Sequence, residues 1–233
     1  MSRGMVAKPA DENRKVPLGG RFGAMSSGQE ILPGLWRFTA VHPEWEEGED
    51  WDAEVSWWAI RGPDGLALVD PLVEDWEELD RLVAAAEGCA GIIRTVFFHE
   101  RSIPEARRRY RTEVWARKPP PGVPARPFEH DTDQGLALPG GLLAIDVPRD
   151  DEIGLWLPDQ RALAFGDAML RDGDGRLSMC PESWVARSGG RARLREALSP
   201  LLELGPEHVL VSHGPLVLSD APESLTAALA TDS

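Results

Sequence analysis

Three apolar runs each end in a residue able to hold a metal ion or a proton: "RTVFF" leads into His99, "ALAFG" into Asp167 and "HVLVS" into His213. Short apolar runs bounded by turn residues read as buried strands. Sheets with helices outside them gather their functional groups where strands end. A chain built this way has to bury several strands. Singly, a histidine after such a run reads as a packed residue and "GD" as a turn, so it is the order of the three that carries weight.

The rest of the chain supplies matching elements. "GLWRFTAV", "AEVSWWAIRG" and "GLALVDPL" read as successive strands, the last two joined by the turn "GPDG". "EDWEELDRLVAAAEG" spaces Trp76, Leu79, Leu82 and Val83 on one helical face and stops at Gly88. "GIIRTVFF" follows as a strand, then a helix from about Ile103 to Ala116 and the extended connector "RKPPPGVPARP". Strands in "GLALPGGLLAIDVP" and "EIGLWLPDQRALAFGD" precede the helix "GGRARLREALSPLLELG", the strand "HVLVSHG" and a final helix from about Ala221. This mixture predicts an α/β (α+β) domain with sheets packed between outer helices. Residues 1–28 lack periodicity and read as a flexible arm, leaving residues 29–233 as a single domain.

Composition narrows the function classes. A net charge of −14 argues against a nucleic-acid surface, because such surfaces cluster Lys and Arg. The one basic cluster, "EARRRYRTEVWARK", lies in a helix-like segment and is expected to face solvent or acidic neighbours. No run reaches the roughly 20 apolar residues of a membrane span, and "MSRGMVAKPADENRKVPLGG" lacks the apolar centre of a signal peptide. The expected location is the cytoplasm. Cys89 and Cys180 fit neither a disulfide framework nor a metal-binding pair and read as free thiols. Of nine tryptophans, Trp36, Trp57, Trp58 and Trp156 fall in strand-like segments, where indoles fill a core or line a pocket. No GxSxG motif or P-loop is present, so serine hydrolysis and nucleotide-driven chemistry have no support.

From about Ile31 onward, "ALVDPL", "RTVFFHERSIPEA", "EIGLWLPDQRALAFGDAML" and "HVLVSHGP" follow one another in a pattern that resembles the metallo-β-lactamase superfamily. The resemblance implies a four-layer αβ/βα sandwich of two mixed sheets, with a site at the edge between them. Asp70 matches the family's buried aspartate, Asp167 the aspartate bridging its two metals and His213 the closing histidine. The family's "THxHxDHxGGA" loop is altered here. His99 keeps one ligand position, while Phe97 stands in place of the first histidine, Arg101 of the aspartate and Ser102 of the last histidine. Where the family has "PGHTPGS", this chain has Pro148, Arg149, Asp150 and Asp151 and no histidine.

Of the ligands implied for each of the two metals, only two remain. A catalytic zinc normally needs three protein ligands and an open position. His99, Asp167 and His213 together make a His/Asp/His set that suits zinc or iron, with Asp70 supporting it. Arg101 opposes it, since a fixed cation repels a divalent ion. The same guanidinium is expected to pair with Asp167 and take over the metal's charge.

The leading expectation is therefore a protein with no cofactor that binds a small molecule or a protein partner in the old cleft. That cleft would be lined by Asp70, Phe97, Arg101, Ser102 and Arg149, with Phe98 and the tryptophans adding apolar surface. The alternative is a hydrolase of an ester, lactone, thioester or phosphoester working with one metal on the reduced set. A third is an interaction module with no ligand. Asp150, Asp151 or Glu152 could replace a ligand, though "DVPRDDE" suits a solvated turn better. "RDGDGRLSM" reads as a plain turn rather than a calcium loop. His130 and His208 are read as surface residues, and His42 as one that could cover the site.

Overall fold

The computed structural model describes residues 28–49, 51–119, 126–132, 135–149 and 152–231. The expected arm lies almost wholly outside the described residues, as do Asp150, Asp151 and most of the proline connector. Seven strands form the first sheet in sequence order: β1 (Gln29–Leu32), β2 (Leu35–Val41), β3 (Glu54–Gly62), β4 (Gly65–Val69), β5 (Cys89–Arg94), β6 (Val114–Ala116) and β7 (His130–Asp131). It opens as an antiparallel meander and turns parallel from β4 onward. The second sheet contains β8 (Ala137–Leu138), β9 (Leu142–Asp146), β10 (Ile153–Leu157), β11 (Ala162–Phe165) and, after a separate hairpin of β12 (Met169–Arg171) and β13 (Leu177–Met179), β14 (His208–Val211). Its order is β14-β11-β10-β9-β8, with β11 and β14 parallel.

The buried side chains divide into three layers of contact. Between the sheets, Leu35, Trp58, Ile60, Val69 and Ile93 meet Leu142, Ile153, Leu155, Ala164 and Leu210. Outside the first sheet, Phe38, Trp57, Leu68 and Ile92 pack under α1 (Trp76–Ala85) and α2 (Ile103–Tyr110) through Leu79, Val83, Ile103 and Ala106. Outside the second sheet, Leu163, Phe165, Val209 and Val211 pack against α3 (Glu182–Val185), α4 (Gly190–Leu198) and α5 (Ala221–Ala230). This is the expected four-layer order. Strands covered on both faces need near-continuous apolar runs, which is why β4 is buried along its whole length.

Two helices are shorter than their sequence pattern. The segment expected to be helical to Ala116 stops at Tyr110, because Arg111 takes a left-handed backbone and Val114–Ala116 pairs with β5 as a strand. The segment from Gly189 to Gly205 is α4 followed by a 3-10 turn over Ser199–Leu204, as Pro200 cannot continue an α-helical ladder. The basic cluster does meet acidic neighbours, Arg107 pairing with Glu129, Arg108 with Glu105 and Arg109 with Asp80. "RDGDG" is the plain turn between β12 and β13, closed by Asp172 accepting from the Arg176 N–H at 2.8 Å. Both cysteines are free thiols; burial pushes Cys89 up to about 11 and Cys180 up to about 12. No helix among the described residues is long and apolar enough to cross a membrane.

Candidate functional site

The ends of β4, β5, β11 and β14 come together where the two sheets meet. The sheets are tied there by the Ile153 N–H donating to the Thr95 carbonyl at 2.8 Å and the Ser56 N–H donating to the Ser212 carbonyl at 2.7 Å. Asp70 leaves β4 fully buried and in a left-handed backbone, φ 49°. Its Oδ1 accepts from the Thr95 N–H at 2.8 Å, and its Oδ2 meets the Thr95 hydroxyl and His99 Nδ1, the latter at 2.9 Å. With Nδ1 held by that carboxylate, the His99 ring presents Nε2 to Asp167 Oδ1 at 3.3 Å. His213 presents its own Nε2 to the same oxygen at 3.4 Å. The three ligand-type residues of the sequence are thus brought together, their atoms within 4.8 Å of one another.

Asp167 is positioned by a residue read above as part of a solvated turn or as a replacement ligand. Glu152 is instead wholly buried, and its Oε1 accepts from the N–H groups of Gly166, Asp167 and Ala168 at 3.1, 3.1 and 3.0 Å. This turn also requires Gly166, since a Cβ there would lie 2.3 Å from Val96 Cγ2. Glu152 Oε2 takes Arg149 Nη1 at 3.2 Å, and the same Nη1 stands 3.2 Å from Asp167 Oδ2. Arg117 fixes the segment carrying Arg149 by donating to the carbonyls of Val147, Arg149 and Glu152 at 2.9, 3.1 and 2.6 Å.

An arginine does pair with Asp167, but it is Arg149 and not the expected Arg101. The backbone of Arg101 is left-handed, φ 40°, and turns the side chain so that Nη1 donates to the carbonyls of Ser56 and Asp70 at 3.1 and 3.0 Å. Ser102 caps neither ligand nor helix; its hydroxyl accepts from the Val73 N–H at 2.9 Å. Phe97 is buried against the guanidinium groups of Arg94 and Arg126, while Phe98 is exposed. The cover over the site includes His42, which the sequence marked for that place, but the rings nearest His213 are two tryptophans it did not single out. Trp51 stands edge-on to His213 at 5.3 Å, with His42 edge-on behind it, and Trp184 approaches His213 from 6.4 Å. Trp51 is held by the Trp45 indole N–H donating to its carbonyl at 2.8 Å.

The electrostatics follow from this packing. Burial would raise the Asp167 carboxyl, but His99, His213 and Arg149 outweigh it and hold it well below the usual carboxylate range. Burial and Arg101 would lower His99, yet Asp70 and Asp167 prevail and raise it. Burial, reinforced by Arg101, lowers His42. Two separations of the donor set suit a cation: ligands about 2.0–2.1 Å from a tetrahedral ion stand about 3.3–3.4 Å apart, and the two N···O separations are 3.3 and 3.4 Å. His99, Asp167 and His213 would hold such an ion, which when bound would supply an acidified water.

No family model matches the sequence, and no curated protein matches it. Solved metallo-β-lactamases do match the structure over nearly its whole length. FIM-1 from Pseudomonas aeruginosa, in a mono-zinc form, is 19% identical with a TM-score of 0.60 and covers 88% of this chain and 95% of its own. DIM-1, in a crystal exposed to ceftazidime, is 15% identical with a TM-score of 0.62 and covers 90% and 99%. The enzyme from Erythrobacter litoralis with β-mercaptoethanol in its active site is 16% identical with a TM-score of 0.61 and covers 90% and 97%. The chain therefore has the metallo-β-lactamase fold.

Proposed function

We propose that this protein is a ligand-binding variant of the metallo-β-lactamase fold that works without a metal. The observation that carries the reading is Arg149, whose guanidinium lies between Asp167 and Glu152 in a nearly buried site. Asp167 is the carboxylate a metal would need, and a permanent cation already engages one of its oxygens. The surrounding charge points the same way. Arg94 and Arg101 are buried within electrostatic reach of Asp70, and Arg101 within reach of Asp167, so further fixed cations stand around the carboxylates a divalent ion would use. A divalent ion placed among them would meet repulsion that the low dielectric does not screen. The His99 ring bridges two carboxylates in its place, with Nδ1 2.9 Å from Asp70 and Nε2 3.3 Å from Asp167.

A second reading is favoured by the 3.3 and 3.4 Å separations, which suit a hydrolase using one ion on His99, Asp167 and His213. The two readings separate by metal analysis. The protein is purified without chelator, its zinc, iron and manganese are measured, and the measurement is repeated after excess zinc and desalting. The metal-free reading expects no stoichiometric ion in either sample. One equivalent of metal, lost in His99→Ala or His213→Ala, would overturn the metal-free reading.

A further inference from the structure

We propose that Arg101 anchors an oxyanion subsite: its Nε and Nη2 donors bind the carboxylate or phosphate head group of a small ligand whose apolar body lies against Trp51 and Trp184. The inference rests on the metal-free reading above and names the ligand class for that site. Nη1 of Arg101 is committed to two backbone carbonyls, which fixes the plane of the guanidinium. The opposite edge, Nε and Nη2, is shielded from solvent and has no hydrogen-bond acceptor among the described residues. That edge is the two-pronged donor face that matches the paired oxygens of a carboxylate or phosphate.

No side chain of the site is free to fill it. Asp70 spends Oδ1 on the Thr95 N–H and Oδ2 on the Thr95 hydroxyl and His99. Asp167 faces Arg149 with one oxygen and the two histidines with the other. Among the described residues Arg101 has no carboxylate partner. A buried donor edge with no acceptor is unfavourable even with Asp70 and Asp167 acting on the charge from farther off, and Arg101 also holds a left-handed backbone that is strained in a non-glycine residue. Two unfavourable features at one site residue are accounted for when a bound anion completes it. His213 adds a further polar atom: the residue is 7% exposed and its Nδ1 is unpartnered.

The test uses the full chain after EDTA treatment, at constant ionic strength, with sodium benzoate, inorganic phosphate and benzamide as probes. Titration calorimetry and thermal shift are expected to detect benzoate, phosphate or both, while benzamide, the neutral counterpart of benzoate, gives no response. Comparison of the two anions identifies the head group. Arg101→Lys keeps the charge but loses the fork, and is expected to weaken anion binding by about 10- to 100-fold. Trp184→Leu is expected to weaken benzoate and leave phosphate unchanged. Absence of any anion response in the wild type, or equal affinity in Arg101→Lys with an unaltered unfolding transition, would overturn the subsite. Failure of the metal-free reading looks different: the anion response would vanish with EDTA, return with zinc and survive in Arg101→Lys.

Discussion

Replacing Glu152 tests whether one buried carboxylate builds the site. In Glu152→Ala, three N–H groups, those of Gly166, Asp167 and Ala168, lose their common acceptor, and Arg149 loses one of the two carboxylates it meets among the described residues. Hydrogen bonds to a charged group contribute about 1.5–3 kcal/mol each, but three sharing one oxygen do not add in full, and water entering the space left behind recovers part of the loss. Removing one partner of a buried ion pair costs about 3–5 kcal/mol, and we expect a loss in that range, a large fraction of the roughly 5–15 kcal/mol that holds a domain folded. Glu152→Gln keeps an oxygen for the three N–H groups and removes only the charge facing Arg149, so its loss should be smaller, about 1.5–3 kcal/mol. Urea unfolding followed by tryptophan fluorescence at neutral pH measures both. A loss below about 1 kcal/mol in the alanine variant, the level of an average substitution, would refute the role given to Glu152. Equal losses in the two variants would refute the division between N–H groups and charge.

Two further outcomes follow from the same site. The raised pKa of His99 means that the protonated ring stabilises the fold fully below its unfolded value near 6.5, and that this contribution is lost as pH rises through the folded pKa. Asp167, lowered well below 3.8, contributes above that value and loses its contribution as pH falls through its folded pKa. Unfolding free energy of the EDTA-treated protein should therefore decline from weakly acidic toward alkaline pH, and His99→Gln should flatten that decline; an unchanged slope would contradict the raised pKa of the ring. Gly166→Ala would place a methyl group 2.3 Å from Val96 Cγ2 and 2.6 Å from Thr95 Oγ1, so the turn holding Asp167 has to shift. An overpacking loss of about 1–3 kcal/mol is expected in denaturation, and a loss near zero would mean that the turn has room to spare.

How far the sequence could be read depended on the kind of information each residue carries. Sheets between outer helices were legible from apolar runs, and β3, β4, β11 and β14 are buried along most or all of their lengths; the four-layer order came from the family resemblance. His99, Asp167 and His213 stand at strand ends, and their meeting at one edge is what the order of the motifs implied through the resemblance. Choosing between two arginines is a different matter, set by backbone angles that no residue pattern displays. Arg101 sits at φ 40° and is turned toward the Ser56 and Asp70 carbonyls, while Arg117 pins the segment that delivers Arg149 to Asp167. Glu152 was hidden for a related reason: beside Asp150 and Asp151 it looks like part of a solvated acidic turn, and only the reversal of the chain after β11 gives it three N–H groups to bind. The cover over His213 had a usable signal. A solvated, acid-rich loop gains nothing from two indoles, so "EWEEGEDWD" implies that its tryptophans pack on something, and Trp51 packs on His213. Trp184 had no such signal, because the short helix α3 that carries it is placed by Val185 entering the core beside α4.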